Sequence, residues 1–250
     1  MKFIFIFLFN LFAFIVRDFH LPQTQIKNKT GVTVLELFTS QGCSSCPSAD
    51  KLVNQTFINS KVNGKEIIVL AFHVDYWNHL GWKDPYSKKE WTQRQYQYNE
   101  WFKKDGAYTP QLVVNGTDEF VGSNKKLLEE SITKFSTSTN FISFKTIQFT
   151  LNGKKVNVKS SLIGKIGNSK IYAVLIAKHT ENSIPRGENA GKKLEGNNVV
   201  REMIELKISN DLNFSLNIPE DLNTDNAAMV LFAQDNKTHQ IIGAELVYLK

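Results

Sequence analysis

The stretch Gly31–Asp50, GVTVLELFTSQGCSSCPSAD, decides how this chain is read. Residues 31–38, GVTVLELF, are β-branched and apolar and predict a buried strand. Thr39 to Gly42 reads as a short loop. Cys43 then opens a helix on which Ala49, Leu52 and Val53 share one face. An Asn63-Gly64 turn follows, and 66–74, EIIVLAFHV, predicts a second buried strand. Two buried strands joined by a helix make a parallel βαβ unit.

The chain has two cysteines, Cys43 and Cys46, and both lie in this stretch. A disulfide scaffold needs several cysteines spread along the chain, so this pair points to chemistry. The first turn of a helix leaves backbone N–H groups unpaired and carries roughly half a positive charge. Both favour a thiolate at Cys43 and pull its pKa below the ~8.5 of a simple thiol. Cys46, three residues on, lies on the same helical face. It is placed to attack a mixed disulfide formed at Cys43 and release the partner. Pro47 falls in the first turn, where a missing N–H costs little. Three other readings stand beside this one. The pair is a structural disulfide, or two inert thiols, or half of a copper site that His73 or His79 completes with soft sulfur ligands.

Working outward, residues 75–86 read as loop, and Ser87 with Glu90 predicts a capping box and a helix start. Trp91, Tyr98, Trp101 and Phe102 recur at helical spacing; with Tyr76, Trp77 and Trp82 they either pack a helix on the sheet or roof a peptide groove. Residues 111–121 predict two short strands around Asn115-Gly116, and Ser123 a cap for a last helix carrying Leu127, Leu128, Ile132 and Phe135. The small polar segment 136–140 marks a domain boundary. Beyond it, strand-like runs near 141–150, 154–163, 170–178, 198–208, 212–218, 227–233 and 240–249 predict an antiparallel β-sandwich. The expected fold is therefore an α/β domain over 31–135 with an inserted helical segment. An all-β, sandwich-like domain over 140–250 follows it.

Strand, CxxC helix, strand, helix, then Tyr108-Thr109-Pro110 before a hairpin and a final helix resembles the thioredoxin fold. The resemblance implies a cis-proline beside the cysteines, and Pro110, preceded by Thr109, is the matching position. The segments ELFTSQGCSSCPSAD, LAFHVDYWNHLGWKDPYS, YTPQLVVNG and RGENAGKKLEGNNVVRE together resemble an exported bacterial thioredoxin-like family known as a domain of unknown function. The match runs from about Val34 to Arg201 and implies an exported thioredoxin-like domain with a β-rich partner, without supplying a reaction. Ser44-Ser45 stands where ordinary thioredoxins carry Gly-Pro. About thirty extra residues precede Pro110.

His73 and Asp75, two apart at the end of the second strand, are candidates to take the proton that Cys46 loses, or a structural pair fixing the next loop. Arg186-Gly187-Glu188-Asn189 lies in a long loop, and long loops are uncommon unless functional. Arg186 and Glu188 are thus candidates to fold over the CxxC surface, against the alternative of a salt-bridged surface loop.

Lys2 is followed by an apolar run, Phe3 to Val16, broken only by Asn10 and stopped by Arg17. It reads as a secretory signal peptide or N-terminal anchor over 1–20, short of the ~20 apolar residues of a membrane span. The net charge of +6 comes without a basic run or a basic-aromatic array, so nucleic acid is not an expected partner. The expected activity is extracytoplasmic thiol–disulfide exchange with protein or peptide thiols and disulfides, without cofactor or metal. Membrane contact is expected only through the N-terminal segment. The rival classes are a metal-handling protein and a non-enzymatic envelope-binding module.

Overall fold

The computed structural model describes residues 31–62, 66–137 and 141–249. The N-terminal apolar segment, the Asn63-Gly64 turn and most of the polar segment 136–140 lie outside the described residues. In chain order the elements are β1 (Thr33–Thr39), α1 (Cys46–Val62), β2 (Ile67–His73), α2 (Lys89–Trp101), β3 (Gln111–Val114), β4 (Asp118–Val121) and α3 (Lys125–Ser136). β5 (Ile142–Asn152), β6 (Lys155–Gly164), β7 (Ser169–Ser183), β8 (Lys193–Leu206), β9 (Asp211–Asn217), β10 (Ala227–Asp235) and β11 (Ile241–Tyr248) follow.

The expectation of a thioredoxin-like α/β domain with an inserted helical segment, followed by a separate sandwich, is overturned by the strand pairing. One mixed eight-stranded sheet runs β11-β10-β7-β8-β2-β1-β3-β4, and only β5-β6-β9 form a second sheet. β2 joins the halves: it pairs parallel with β1 along its whole length and meets β8, also parallel, at Ala71↔Val199. The physical reason is visible in β2. All seven of its residues are buried, so it needs a neighbour on both edges. β10 carries a continuous apolar run, Ala227–Ala233, where a half-exposed sandwich strand would alternate. Between β2 and β3 the chain makes loop and one 13-residue helix, α2, which packs on the sheet rather than forming an inserted helical segment.

Each face of the large sheet has its own cover. Leu35, Leu37, Val69, Leu112 and Val114 face α1 and α3 through Ala49, Val53, Leu128 and Ile132. On that same side, Ile171, Ala173, Leu175, Met229 and Leu231 face the three-stranded sheet through Ile142, Val156, Val158 and Leu216. The opposite face carries Phe38, Leu70, Phe72, Val230 and Phe232, covered by Trp91 and Tyr98 of α2. Trp91 and Tyr98 of α2 thus pack, while Tyr96 and Trp101 are 51% and 42% exposed.

Two helix starts differ from the sequence expectation. α2 begins after Lys88 with no side-chain cap, because the Ser87 hydroxyl donates to Asp84 O instead. α3 is capped by Asn124, which accepts from Leu127 N at 3.2 Å, and not by Ser123. The β3–β4 turn has Asn115 at φ 46° and Gly116 at φ 74°. A Cβ on Gly116 would meet His239 O, so this turn has room for glycine alone. Among the described residues, no helix is long and apolar enough to cross a membrane.

Candidate functional site

The parallel strands β1 and β2 end side by side, with Thr39 opposite His73. The CxxC turn leaves the chain at that edge, where α/β sheets commonly place ligands. Ser40 to Ser45 form the turn, and α1 starts at Cys46 rather than Cys43. The Cys43 and Cys46 sulfurs are at disulfide distance, with Cα atoms 5.5 Å apart. Cys46 N–H donates to Cys43 O at 3.3 Å, which closes the turn. Cys43 is 1% exposed and Cys46 0%, whereas Ser44 and Ser45 between them are exposed. At the level of whole residues the attacking and the resolving cysteine are thus equally covered.

Three other segments reach the turn. The Thr109–Pro110 peptide is cis and immediately precedes β3. Cys43 Sγ lies 3.3 Å from Ser45 Oγ and 3.9 Å from Thr109 O. Trp77 Nε1 donates to Thr109 Oγ1 at 2.8 Å and so ties the loop after β2 to the proline loop. The third segment is the β7–β8 loop. Asn189, fully buried, donates through Nδ2 to Gln41 O at 2.9 Å and to Cys43 O at 3.0 Å. Glu188 Oε2 accepts from Ser44 N at 3.0 Å. Gly187 has φ 82°, and a Cβ there would sit 3.0 Å from Leu80 O; the loop packs this closely because that position lacks a side chain. Arg186 is exposed in the same loop.

Beneath the turn lies a buried polar group of residues. His73 Nδ1 is 2.7 Å from Asp84 Oδ2. Asp84 also accepts from Gln41 N at 2.7 Å and Tyr86 N at 3.0 Å. Burial alone would push the Asp84 carboxyl up, but the His73 charge and these bonds outweigh it and the net direction is down. Burial likewise pulls His73 down, but Asp84 and then Asp50 reverse the direction, and it titrates above its ordinary value. His73 is therefore tied to Asp84. Asp75 is occupied elsewhere: its Oδ1 accepts from Thr92 Oγ1 at 2.6 Å, which pins the loop to α2. His79 Nδ1 lies 2.7 Å from Tyr76 O. Among the described residues, no group of three or more His, Cys, Asp or Glu side chains is placed to hold a metal ion.

Sequence reasoning missed Asp50. It sits one turn after Cys46 on α1, and residues four apart share a helix face. Its Oδ2 accepts from Thr39 Oγ1 at 3.0 Å. It lines a cleft of about 400 Å³ together with Pro47, His73, Lys193 and Asn197. Burial raises its carboxyl to about 6, against lowering by His73 and Thr39. The spacing Cys46-x-x-x-Asp50 was the available signal. Another cleft, of about 500 Å³, lies between α2 and the β10–β11 turn and shares no residue with this one.

A stability test follows from Asp50. The folded chain holds the Asp50 proton to about pH 6, whereas the ordinary value is 3.8, so ionising it destabilises the fold as pH rises between those values. Asp50→Asn keeps an acceptor for Thr39 and removes the charge. It is expected to raise stability at pH 7 by about 1–3 kcal/mol, with the gain vanishing below about pH 4. Urea unfolding of both proteins at the two pH values checks this. An unchanged or lower stability at pH 7 refutes the assignment.

Residues 34–234 match a family described as protein of unknown function, DUF1223. The chain belongs to the DUF1223 family. Among solved structures, this DUF1223 chain is similar to protein AGR_C_4864 from Agrobacterium tumefaciens. The two are 25% identical with a TM-score of 0.66, over 88% of this chain and 96% of that one. It is also similar to HBP35 of Porphyromonas gingivalis, at 14% identity and TM-score 0.61, over 88% and 75% of the two chains. That second likeness concerns the fold alone. No curated protein matches this DUF1223 chain.

Proposed function

We propose that the protein exchanges thiols and disulfides with protein or peptide partners outside the cytoplasm, through Cys43 and Cys46. The observation that carries the reading is the pair itself: two sulfurs at disulfide distance, in a turn entering α1, beside Thr109-Pro110. The resemblance of this arrangement to thioredoxin-like proteins supports it. The apolar segment Phe3–Val16 supports export.

In the reducing direction, the Cys43 thiolate attacks one sulfur of a substrate disulfide. That S–S bond breaks and the other substrate sulfur leaves as a thiolate. Cys46 then gives its proton to Asp50, attacks Cys43 Sγ, and expels the second substrate thiolate. The substrate gains two electrons, Cys43 and Cys46 lose two, and the protons reach the substrate thiolates through Asp50 and solvent in the adjoining cleft. An external dithiol must restore the pair. His73 and Asp84 hold the neighbouring charges in place, and Asn189 fixes the turn through the Cys43 carbonyl.

The test is equilibration of the intact protein with dithiothreitol buffers of graded composition. The reading expects one reversible two-electron transition, absent in Cys43→Ala. A pair that stays oxidised in excess dithiothreitol, or that fails to reoxidise, refutes it.

A further inference from the structure

The β7–β8 loop places a carboxylate on the backbone of the CxxC turn. Glu188 is exposed, yet its Oε2 accepts from Ser44 N at 3.0 Å. Ser44 directly follows Cys43. Its neighbour Asn189 anchors the loop to Gln41 O and Cys43 O, and Lys192 Nζ fixes Asn189 Oδ1 at 2.9 Å. The Glu188 charge is thus held on the backbone N–H of the residue next to Cys43.

Donors next to Cys43 are already engaged, and the Ser45 hydroxyl, 3.3 Å from Cys43 Sγ, is the neutral group beside the sulfur. Ser44 N–H is given to Glu188 itself, Cys46 N–H is given to Cys43 O, and Pro47 has none. The sequence alone suggests a donor-rich helix start that pulls the Cys43 thiol down. The tertiary structure engages the Ser44 and Cys46 donors and adds a negative charge. A like charge disfavours the thiolate. A reduced form with a disfavoured thiolate is less stable relative to its disulfide, which makes the pair a better electron donor.

We propose that Glu188 tunes the Cys43–Cys46 pair toward the disulfide, so that the reduced protein acts as a reductant toward partner disulfides. Glu188 is a positioning and tuning residue that acts through its contact with Ser44 N. The inference rests on the exchange reading above. It adds the direction of the exchange and the element that sets it.

Charge and hydrogen bond separate in a short series. E188Q keeps an oxygen for Ser44 N–H and removes the charge; E188K reverses the charge. The Cys43 pKa is read from the pH dependence of iodoacetamide alkylation, in each case in the Cys46→Ala background. The disulfide equilibrium is read against dithiothreitol with both cysteines present. The pKa is expected to fall in the order wild type, E188Q, E188K. The first step should be roughly half a unit to two units, the Coulomb range for neighbouring charges at a protein surface. Above the thiol pKa, each half unit should move the equilibrium about threefold toward the dithiol. Salt should shrink the difference, because the charge is exposed. Identical pKa values across the series, or a shift that ignores salt, overturn the role of Glu188 while a reversible wild-type transition leaves the exchange reading standing. A wild-type pair that does not cycle overturns both.

Discussion

Incubated with glutathione disulfide, Cys46→Ala is expected to accumulate one glutathione per chain on Cys43 and keep it. Cys43 attacks and the first leaving thiol departs, but the resolving sulfur is gone. The wild-type dithiol should pass through the same adduct and return to an unmodified disulfide. Cys43→Ala should acquire little adduct, because Cys46 opens α1 behind the turn, whereas Cys43 Sγ is the sulfur that meets Ser45 Oγ and Thr109 O. The contrast is close to all-or-none in intact-mass spectra. Stable labelling of Cys46 in Cys43→Ala at the rate seen for Cys43 would reverse the roles. Labelling of neither would remove the exchange mechanism and favour the non-enzymatic binding module. The result also measures access: Cys43 is only 1% exposed, so reaction needs a partner that enters along Thr109 and Ser45.

The second large effect concerns stability. Glu36 lies in β1, fully buried, between apolar residues. Arg94 of α2 grips it with Nε to Oε2 at 2.5 Å and Nη2 to Oε1 at 2.9 Å. Tyr98 OH donates to the same carboxylate at 2.5 Å, and Gln234 Nε2 donates to Tyr98 OH at 2.8 Å. The guanidinium lies 5.1–5.7 Å from the rings of Phe72, Tyr98, Tyr172 and Phe232. Burial alone would pull Arg94 down; Glu36 outweighs it and holds the residue charged. Arg94→Met leaves a buried carboxylate without its cation and is expected to cost about 3–5 kcal/mol. Glu36→Leu should cost a similar amount. The double variant should recover most of the loss, since an apolar replacement of a buried ion pair is often close to neutral. Urea unfolding of the four proteins gives the cycle. Single costs below about 1 kcal/mol, or a double cost equal to their sum, would show that the pair does not bind α2 to β1.

Much of the local structure is legible along the chain. The apolar runs of β1 and β2, the two short strands around Asn115-Gly116 and the seven strand-like runs after residue 140 all become strands near their expected positions. These follow from side-chain periodicity and turn chemistry, which act over a few residues. The helix starts were less legible, because a side chain with a capping pattern can find a better partner. Ser87 does so at Asp84 O.

The strands, the CxxC turn and the placing of Cys46 and Asp50 on one helical face are local properties of the chain, since they need no distant partner. The rest depends on which distant segments meet. A fully apolar strand such as β2 fits the middle of any sheet, and nothing in its residues names β8 as its second neighbour. That pairing fuses the two expected domains and carries the β7–β8 loop to the CxxC turn. Glu188 and Asn189 then meet Ser44 and Cys43 across 144 and 146 residues of chain. Such contacts are set by which strands share an edge, and neither local propensity nor residue spacing encodes that choice.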